Sequence, residues 1–204
     1  MVHEWDLITG RELQSWRAIS GNFYTVASPD ENRFVETKSD GEVQFKNLVN
    51  GRIMETNLDF LEGDKGAISP DGRLFAIPSH IGYARVWNTT TWQEIKTLRG
   101  YLVGLSSVAF SPDGRRLATG SDQQEALRLW DTESWQDVLT LEGQGADFDL
   151  TAFSPDGNSV GAMSDAGILH VWRAPSWAEI NAVEVKDPPS PSSGATGKME
   201  DQQP

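Results

Sequence analysis

Histidine and carboxylate side chains are the groups in this sequence that could do chemistry, and their spacing favours a structural role. The chain has three histidines and no cysteine. His170 stands in "ILHVW", two residues before a Trp, where similar stretches carry Arg85 and Arg128. His80 has no carboxylate near it in sequence, and His3 lies at the start of the chain. Acid–base catalysis or a metal site needs several such groups held together, so the sequence predicts neither.

The most regular carboxylates belong to a four-residue motif, "SPDG", which begins at Ser69, Ser111 and Ser154, with "SPDE" at Ser28. A lone Asp in such a segment supplies too few ligands for calcium. Pro fixes φ and Gly accepts a positive φ, so the motif predicts a turn. The sequence contains no "G-x-S-x-G" nucleophile elbow and no phosphate-binding glycine loop. We therefore expect no enzyme activity, no catalytic residue and no cofactor.

Composition limits the class of partner. The chain has 204 residues and a net charge of −13, a sign that repels nucleic acid and anionic membranes. No apolar run approaches the ~20 residues of a membrane span, and no signal peptide is visible. Absence of cysteine fits a reducing compartment, so we expect a cytoplasmic protein whose partner is another protein or a peptide, neutral or basic in character.

Two markers repeat along the chain with one period. The Ser-Pro-Asp motifs are 41, 42 and 43 residues apart. A second marker follows each motif, as "VQFK" at Phe45, "VWN" at Trp87, "LWD" at Trp130 and "VWR" at Trp172, and an additional "EWD" lies at Trp5. Each unit reads as four short strands, for example about 107–110, 116–120, 126–130 and 137–141. One such sheet cannot bury both faces, so the units must stack.

This pattern resembles WD40 repeats, which build β-propellers from four-stranded blades with strands a to d. The resemblance covers about residues 1–186. The unit "AFSPDGRRLATGS…LRLWD" is especially similar to those of bacterial WD40-repeat proteins. It implies an all-β fold with an N-terminal c–d half-blade (1–20), four complete blades (about 21–58, 59–100, 101–143 and 144–186) and an incomplete or irregularly closed ring. The Pro/Ser/Gly-rich segment 187–204 is expected to be a disordered tail.

Family blades often contain a hydrogen-bond chain of His, Ser/Thr, Asp and Trp. Its implied members here are Thr119, Asp122 and Trp130 in the third blade, with Tyr101 in the His position. The fourth blade keeps Asp165 and Trp172 but has Ala162 and Gln144 in the other two positions, and Phe45 takes the Trp position in the first. No blade has the whole chain, so rigidity is expected to come mainly from packing.

The resemblance also implies a top face, where the b–c and d–a loops meet and where propellers commonly bind peptides. The candidate partner-binding residues there are Asp59, Tyr101, Gln123, Asp147 and Asp149. Phe60, Leu102 and Phe148 are either apolar anchors or blade packing, and the acidic residues are either a binding rim or a solvated one. A binding scaffold in a larger bacterial signalling protein, a purely structural segment and a propeller-fold enzyme remain as alternatives.

Four blades and a half-blade leave two possibilities for how the propeller is completed. The chain is either the C-terminal part of a larger propeller or a product that closes irregularly or with another copy. Because an open arc exposes apolar blade faces, the isolated chain is expected to self-associate or to be marginally stable.

Three tryptophans, Trp92, Trp135 and Trp177, each lie five residues after an anchor Trp, in the c–d turn. Gly10 holds this position in the half-blade, and Gly51 lies near it in the first blade. The rings either cover the Pro of a neighbouring "SPDG" turn (Pro70, Pro112 or Pro155) or form an aromatic patch for a partner. We favour the covering role.

Overall fold

The computed structural model describes residues 1–17, 24–28, 33–38, 42–58, 65–101, 104–121, 127–142 and 147–175. Within these ranges the chain forms 17 strands and no helix. Met1–Arg173 is one compact unit that holds every described strand. A second unit spans Ala174–Pro204, of which only Ala174 and Pro175 are described. The predicted tail and the fourth blade's strand d lie outside the described residues.

The strands form consecutive antiparallel sheets in chain order. The half-blade comprises β1 (Val2–Trp5) and β2 (Glu12–Trp16). The first blade comprises β3 (Tyr24–Ala27), β4 (Arg33–Thr37), β5 (Glu42–Asn47) and β6 (Ile53–Asn57). The second comprises β7 (Ala67–Ile68), β8 (Leu74–Ser79), β9 (Tyr83–Asn88) and β10 (Glu94–Leu98). The third comprises β11 (Leu105–Phe110), β12 (Arg116–Ser121), β13 (Leu127–Asp131) and β14 (Asp137–Leu141). The described part of the fourth comprises β15 (Phe148–Phe153), β16 (Ser159–Ser164) and β17 (Leu169–Arg173).

Each "SPDG" motif forms the predicted turn between strands a and b. In the third blade the Ser111 hydroxyl donates to Asp113 Oδ1 at 2.6 Å and accepts from the Arg116 N–H at 2.9 Å. Gly114 has φ +72°, a conformation that favours glycine. The hydrogen bond from Ser111, followed by that from the Arg115 N–H, holds the pKa of Asp113 below its ordinary value.

A threonine ties the c–d turn of each central blade to the "SPDG" turn of the same blade. Thr89 Oγ1 donates to the Gly72 carbonyl at 2.6 Å, and Thr132 Oγ1 donates to the Gly114 carbonyl at 2.7 Å. Both main-chain N–H groups also bond into that turn, to the carbonyls of Arg73 and Arg115. The two turns at the bottom end of the blade, opposite the top face, are therefore fastened together.

Strand alternation sends side chains to both faces of each sheet, and three hydrophobic clusters fill the spaces between blades. Val35, Val43 and Phe45 of the first blade pack with Phe75, Ile77 and Trp87 of the second. Ala76, Val86 and Leu98 of the second blade pack with Leu105, Leu117 and Trp130 of the third. Ala118, Leu127 and Leu129 of the third blade pack with Phe148, Val160 and Trp172 of the fourth. Packing between neighbouring blades is the principal core.

The half-blade packs on the first blade through Trp16. Its ring meets Phe34 edge-on at 5.2 Å, and Lys46 Nζ lies 3.5 Å from the centre of the Trp16 ring. Lys46 Nζ also donates to Gln14 Oε1 at 3.1 Å. Burial lowers the pKa of Lys46.

The predicted anchor of the first blade is wrong by one residue. Asn47 Oδ1 accepts from the N–H of Val49 at 3.0 Å, just as Asn88 Oδ1 accepts from Thr90 at 2.8 Å. Asn47 therefore matches Asn88, and Lys46, not Phe45, stands in the position of Trp87. Phe45 instead faces the second blade.

The all-β blade architecture predicted from the repeats is confirmed, and the sheets formed by the described residues do not close into a ring. In the third blade the strand bounds agree with prediction within two residues. The described part of the chain contains no helix long and apolar enough to cross a membrane.

Candidate interaction surfaces

The third blade contains a three-membered hydrogen-bond network between its strands. Trp130 Nε1 donates to the Tyr101 hydroxyl at 2.8 Å and to Thr119 Oγ1 at 3.0 Å. The hydroxyls of Tyr101 and Thr119 also bond to each other. Tyr101 thus does in this blade what the resemblance assigns to a His. Asp122, the remaining implied member, lies outside the described residues.

The Tyr101 ring has both apolar and cationic neighbours. The ring packs against the cluster between the second and third blades, and the Arg128 guanidinium lies 4.9 Å from its centre. Burial raises the pKa of the Tyr101 phenol, against the opposing effect of its bonds to Thr119 and Trp130. Because its hydroxyl is engaged inside the blade, the role of Tyr101 in partner binding stays a prediction.

The fourth blade uses ring packing around Trp172. Phe148 meets Trp172 edge-on at 6.2 Å, and His170 stacks on Trp172 at 5.9 Å. Phe148 is fully buried, so it belongs to blade packing and is not an exposed anchor. Asp165 donates its main-chain N–H to the Asp147 carbonyl at 2.9 Å, which joins the b–c turn to the residue before β15.

The top end of the fourth blade brings three acidic residues together. Asp147 and Asp165 are joined by the main-chain bond above, and Asp149 lies two residues further along β15. The pairing of β15 with β16 shifts between Phe148 and Leu150, which leaves Asp149 in a β-bulge with an exposed side chain. The pairing of β11 with β12 shifts at the same repeat position, between Leu105 and Ser107, so the bulge is a feature of the repeat. The proximity of Asp147 and Asp149 was predicted, but neither Asp165 as a third member nor the bulge was.

The other top-face candidates, Asp59 and Gln123, lie outside the described residues, as do Phe60 and Leu102. The described residues contain no group of three or more His, Asp or Glu that could hold a metal ion. His3 pairs with Glu12, with Nδ1 3.0 Å from Oε1.

The tryptophans of the c–d turns occupy a left-handed backbone position. Trp92 and Trp135 both have φ +55°, and Gly10 and Gly51 in the same position have φ +66° and +69°. With Lys46 as the anchor of the first blade, Gly51 lies five residues after it, as Trp92 follows Trp87. Among the described residues, this position therefore holds Gly in two units and Trp in two others.

The rings of these tryptophans pack between blades. Trp92 meets Phe45 edge-on at 5.4 Å and Phe75 at 6.1 Å. Trp135 packs against the cluster between the second and third blades. A covering role over the prolines stays a prediction, and Trp177 lies outside the described residues.

Two apolar surfaces remain exposed at the ends of the series of sheets. On the fourth blade, Leu150, Met163, Leu169 and Val171 are 48%, 40%, 62% and 61% exposed. On the half-blade, Trp5 is 52% exposed, whereas Trp87 and Trp130 in the same repeat position are 3% and 6% exposed. Within the described residues no further sheet packs on these two surfaces, whereas a neighbouring sheet covers their counterparts.

Comparisons with known proteins agree with the repeat. Residues 92–131 match the family model "WD domain, G-beta repeat". The chain is similar to an uncharacterized WD repeat-containing protein of Synechocystis sp., with 28% identity over 118 residues that cover 57% of this chain and 34% of that protein. It is also similar to a WD repeat-containing protein of Schistosoma mansoni, with 30% identity over 125 residues that cover 59% of this chain and 40% of that protein.

Among solved structures, Kuenenia stuttgartiensis hydrazine synthase matches 74% of this chain and 45% of its own, with a TM-score of 0.65 and 19% identity. At this identity the likeness concerns the fold alone. The chain spans less than half the length of each of these proteins.

Consecutive four-stranded sheets, stacked face to face with a Trp at each described interface between complete blades, define a protein of the β-propeller blade class. The chain contains a WD40 repeat at residues 92–131, and the curated relatives it resembles are WD repeat-containing proteins. WD40 repeats generally serve as protein-interaction scaffolds.

Proposed function

We propose that this chain is a non-catalytic interaction scaffold that binds a basic peptide at the top end of the fourth blade. The observation that carries the proposal is the exposed side chain of Asp149, two residues from Asp147, whose carbonyl accepts from the Asp165 N–H. A propeller-fold enzyme is the less favoured alternative.

Charge supports a basic partner. The whole chain carries a net charge of −13, so a cationic peptide is attracted over a Debye length of about 10 Å at 0.1 M salt. Phe148 is buried and the Tyr101 hydroxyl is engaged within the blade. Recognition therefore rests on the carboxylates and on the loops around them, which favours a polar contact of moderate, salt-sensitive affinity.

The setting of this scaffold is part of the proposal. The chain spans about a third to two fifths of its curated relatives, and we place it within a longer bacterial signalling or scaffold protein in the cytoplasm. The second candidate function is a structural segment with no ligand of its own, and the exposed apolar face of the fourth blade favours it.

Charge reversal tests the peptide site. Binding of fluorescent synthetic peptides, one rich in Lys and Arg and one rich in Glu, is measured by anisotropy against the wild-type chain. We expect the basic peptide alone to bind and Asp149→Lys to weaken binding several-fold, because the exposed carboxylate becomes a cation. Asp147→Lys is expected to act in the same direction.

Glu133→Lys is the matched control. Glu133 is exposed in the c–d turn at the opposite end of a blade, so the same change in net charge there should leave binding within twofold. Equal weakening by Asp149→Lys and Glu133→Lys would show a general charge effect and contradict the site. Equal binding of both peptides, or of neither, would favour the structural segment.

A further inference from the structure

The blades share one docking geometry, because the residues that face the following blade occupy the same register positions. Ala76 pairs with Val86 in the second blade, Ala118 with Leu129 in the third and Gly161 with Val171 in the fourth. Val86 is 0% exposed, whereas Val171 is 61% exposed.

The next row of this face repeats the contrast. Leu127, paired with Gly120, is 0% exposed in the third blade, and Leu169, paired with Met163, is 62% exposed in the fourth. The fourth blade therefore presents the surface on which a further blade would pack, and its exposed side chains are aliphatic.

The opposite face of a blade is marked by its anchor Trp. Trp87 lies in the cluster shared with the first blade, and Trp130 lies in the cluster shared with the second. Trp5 stands in the same repeat position of the half-blade, and Trp16, on the other face of the same sheet, packs on the first blade. Trp5 is thus directed to the side on which a preceding blade would lie.

We infer that the exposed face of the fourth blade binds the Trp5 face of the half-blade of a second copy of this chain. The chain carries both halves of the contact, and its own interior interfaces show how the two kinds of face fit. Both faces are exposed within a single copy, so neither covers the other. Since the two surfaces differ, the contact is heterologous, with copies joined head to tail. The inference does not depend on the proposed peptide site; repeats that flank this chain in a longer protein would occupy the same two faces in place of the second copy.

Complementation between two variants tests this arrangement. Trp5→Asp disrupts the Trp5 face of the half-blade and leaves the exposed face of the fourth blade intact. Val171→Asp disrupts the fourth-blade face and leaves the Trp5 face intact. We expect the wild-type chain to have a weight-average mass of at least twice 22.5 kDa by light scattering and each variant alone to be monomeric. An equimolar mixture is expected to form dimers and nothing larger, because one productive interface remains between the two variants.

Val49→Asp is the control substitution, because Val49 is 74% exposed in a c–d turn and lies on neither surface. It should associate as the wild type does. Circular dichroism melting identifies any variant that has lost its fold. A monomeric wild type overturns the inference. So does a Trp5→Asp chain that still dimerises, which would indicate a contact between two fourth-blade faces.

Cysteine trapping tests the same contact independently, with substitutions that place no charge on either face. The chain has no native cysteine, so Trp5→Cys and Val171→Cys each introduce one thiol. On oxidation of an equimolar mixture with copper phenanthroline, the disulfide-linked heterodimer is expected to exceed the two homodimers well beyond the statistical ratio of two heterodimers to one of each homodimer. A 1:2:1 ratio of homodimer, heterodimer and homodimer would indicate random collision and contradict the head-to-tail contact.

Discussion

At the scale of single residues, each Trp of a described c–d turn gains ring packing but adopts a strained backbone conformation. Trp92 and Trp135 adopt φ +55°, a region that costs a residue with a Cβ roughly 1–2 kcal/mol. Gly10 and Gly51 hold the same position without that cost. The ring contacts of Trp92 with Phe45 and Phe75 must outweigh the strain for the Trp to be stabilising.

Two substitutions at Trp135 separate packing from strain. Removing a fully buried Trp costs about 3–5 kcal/mol, and Trp135 loses less because it is partly exposed. Trp135→Gly also relieves the backbone strain of roughly 1–2 kcal/mol. The net expectation is a free energy of unfolding lower by about 1 kcal/mol. Trp135→Ala loses the ring but keeps the left-handed backbone. It should be about 1 kcal/mol less stable than the Gly variant. Urea unfolding measures both, and an unchanged midpoint for Trp135→Gly would contradict a packing role.

At the scale of the elements, the distance between neighbouring sheets depends on small residues in strand b. A Cβ on Gly120 would lie 2.4 Å from Ser107 Oγ and 2.8 Å from Thr151 Oγ1. Those two hydroxyls bond to each other at 2.7 Å, and Ser107 Oγ also donates to the Phe148 carbonyl at 2.7 Å. Gly120 therefore lets β11 and β15 approach across the interface between the third and fourth blades.

Gly120→Ala should destabilise the chain by about 1–3 kcal/mol, because the added methyl group separates two sheets that share a hydrogen-bond network. Gly161→Ala is the matched control. A Cβ there meets nothing closer than 3.6 Å, so the change should stay within about 0.5 kcal/mol. Thermal melting compares the two variants, and equal losses would show that intrinsic strand propensity, rather than the close approach, decides the effect.

The repeat of the sequence was sufficient to predict the elements but not every register. "VQFK" offers an aromatic residue, Phe45, close to where other blades have Trp, and residue type alone favours it. The hydrogen bonds of Asn47 fix the c–d turn one residue later, so Lys46 takes the anchor position. The bulges at Ser106 and Asp149 were not predicted, because they arise from the pairing of strands a and b and the two positions hold different residue types.

At the scale of the whole molecule, the two proposed contacts respond to salt in opposite directions. Copies of a chain with net charge −13 repel one another, while the faces proposed to join them expose mainly apolar side chains. A basic peptide is attracted by the same charge. Electrostatic screening by salt therefore weakens the contact with the basic peptide and strengthens the contact between copies.

Raising sodium chloride from roughly 0.05 to 0.5 M should shift the chain towards dimers and larger assemblies and weaken the basic peptide several-fold. Sedimentation velocity measures the first effect, and anisotropy measures the second. Val171→Asp is the control, since it should abolish the salt-driven association and leave the peptide response intact. Association that weakens with salt would contradict an apolar contact between copies.

The threonine that joins the two bottom turns of a blade bears on how repeat proteins of this kind evolve by duplication. Thr89 and Thr132 each bond within their own blade, to Gly72 and Gly114, so each unit carries its own bond between its two bottom turns. An in-frame duplication of one unit adds a sheet whose two faces already match those beside it. Arrays of this kind can lengthen by tandem copying, without a new interface having to arise at each step.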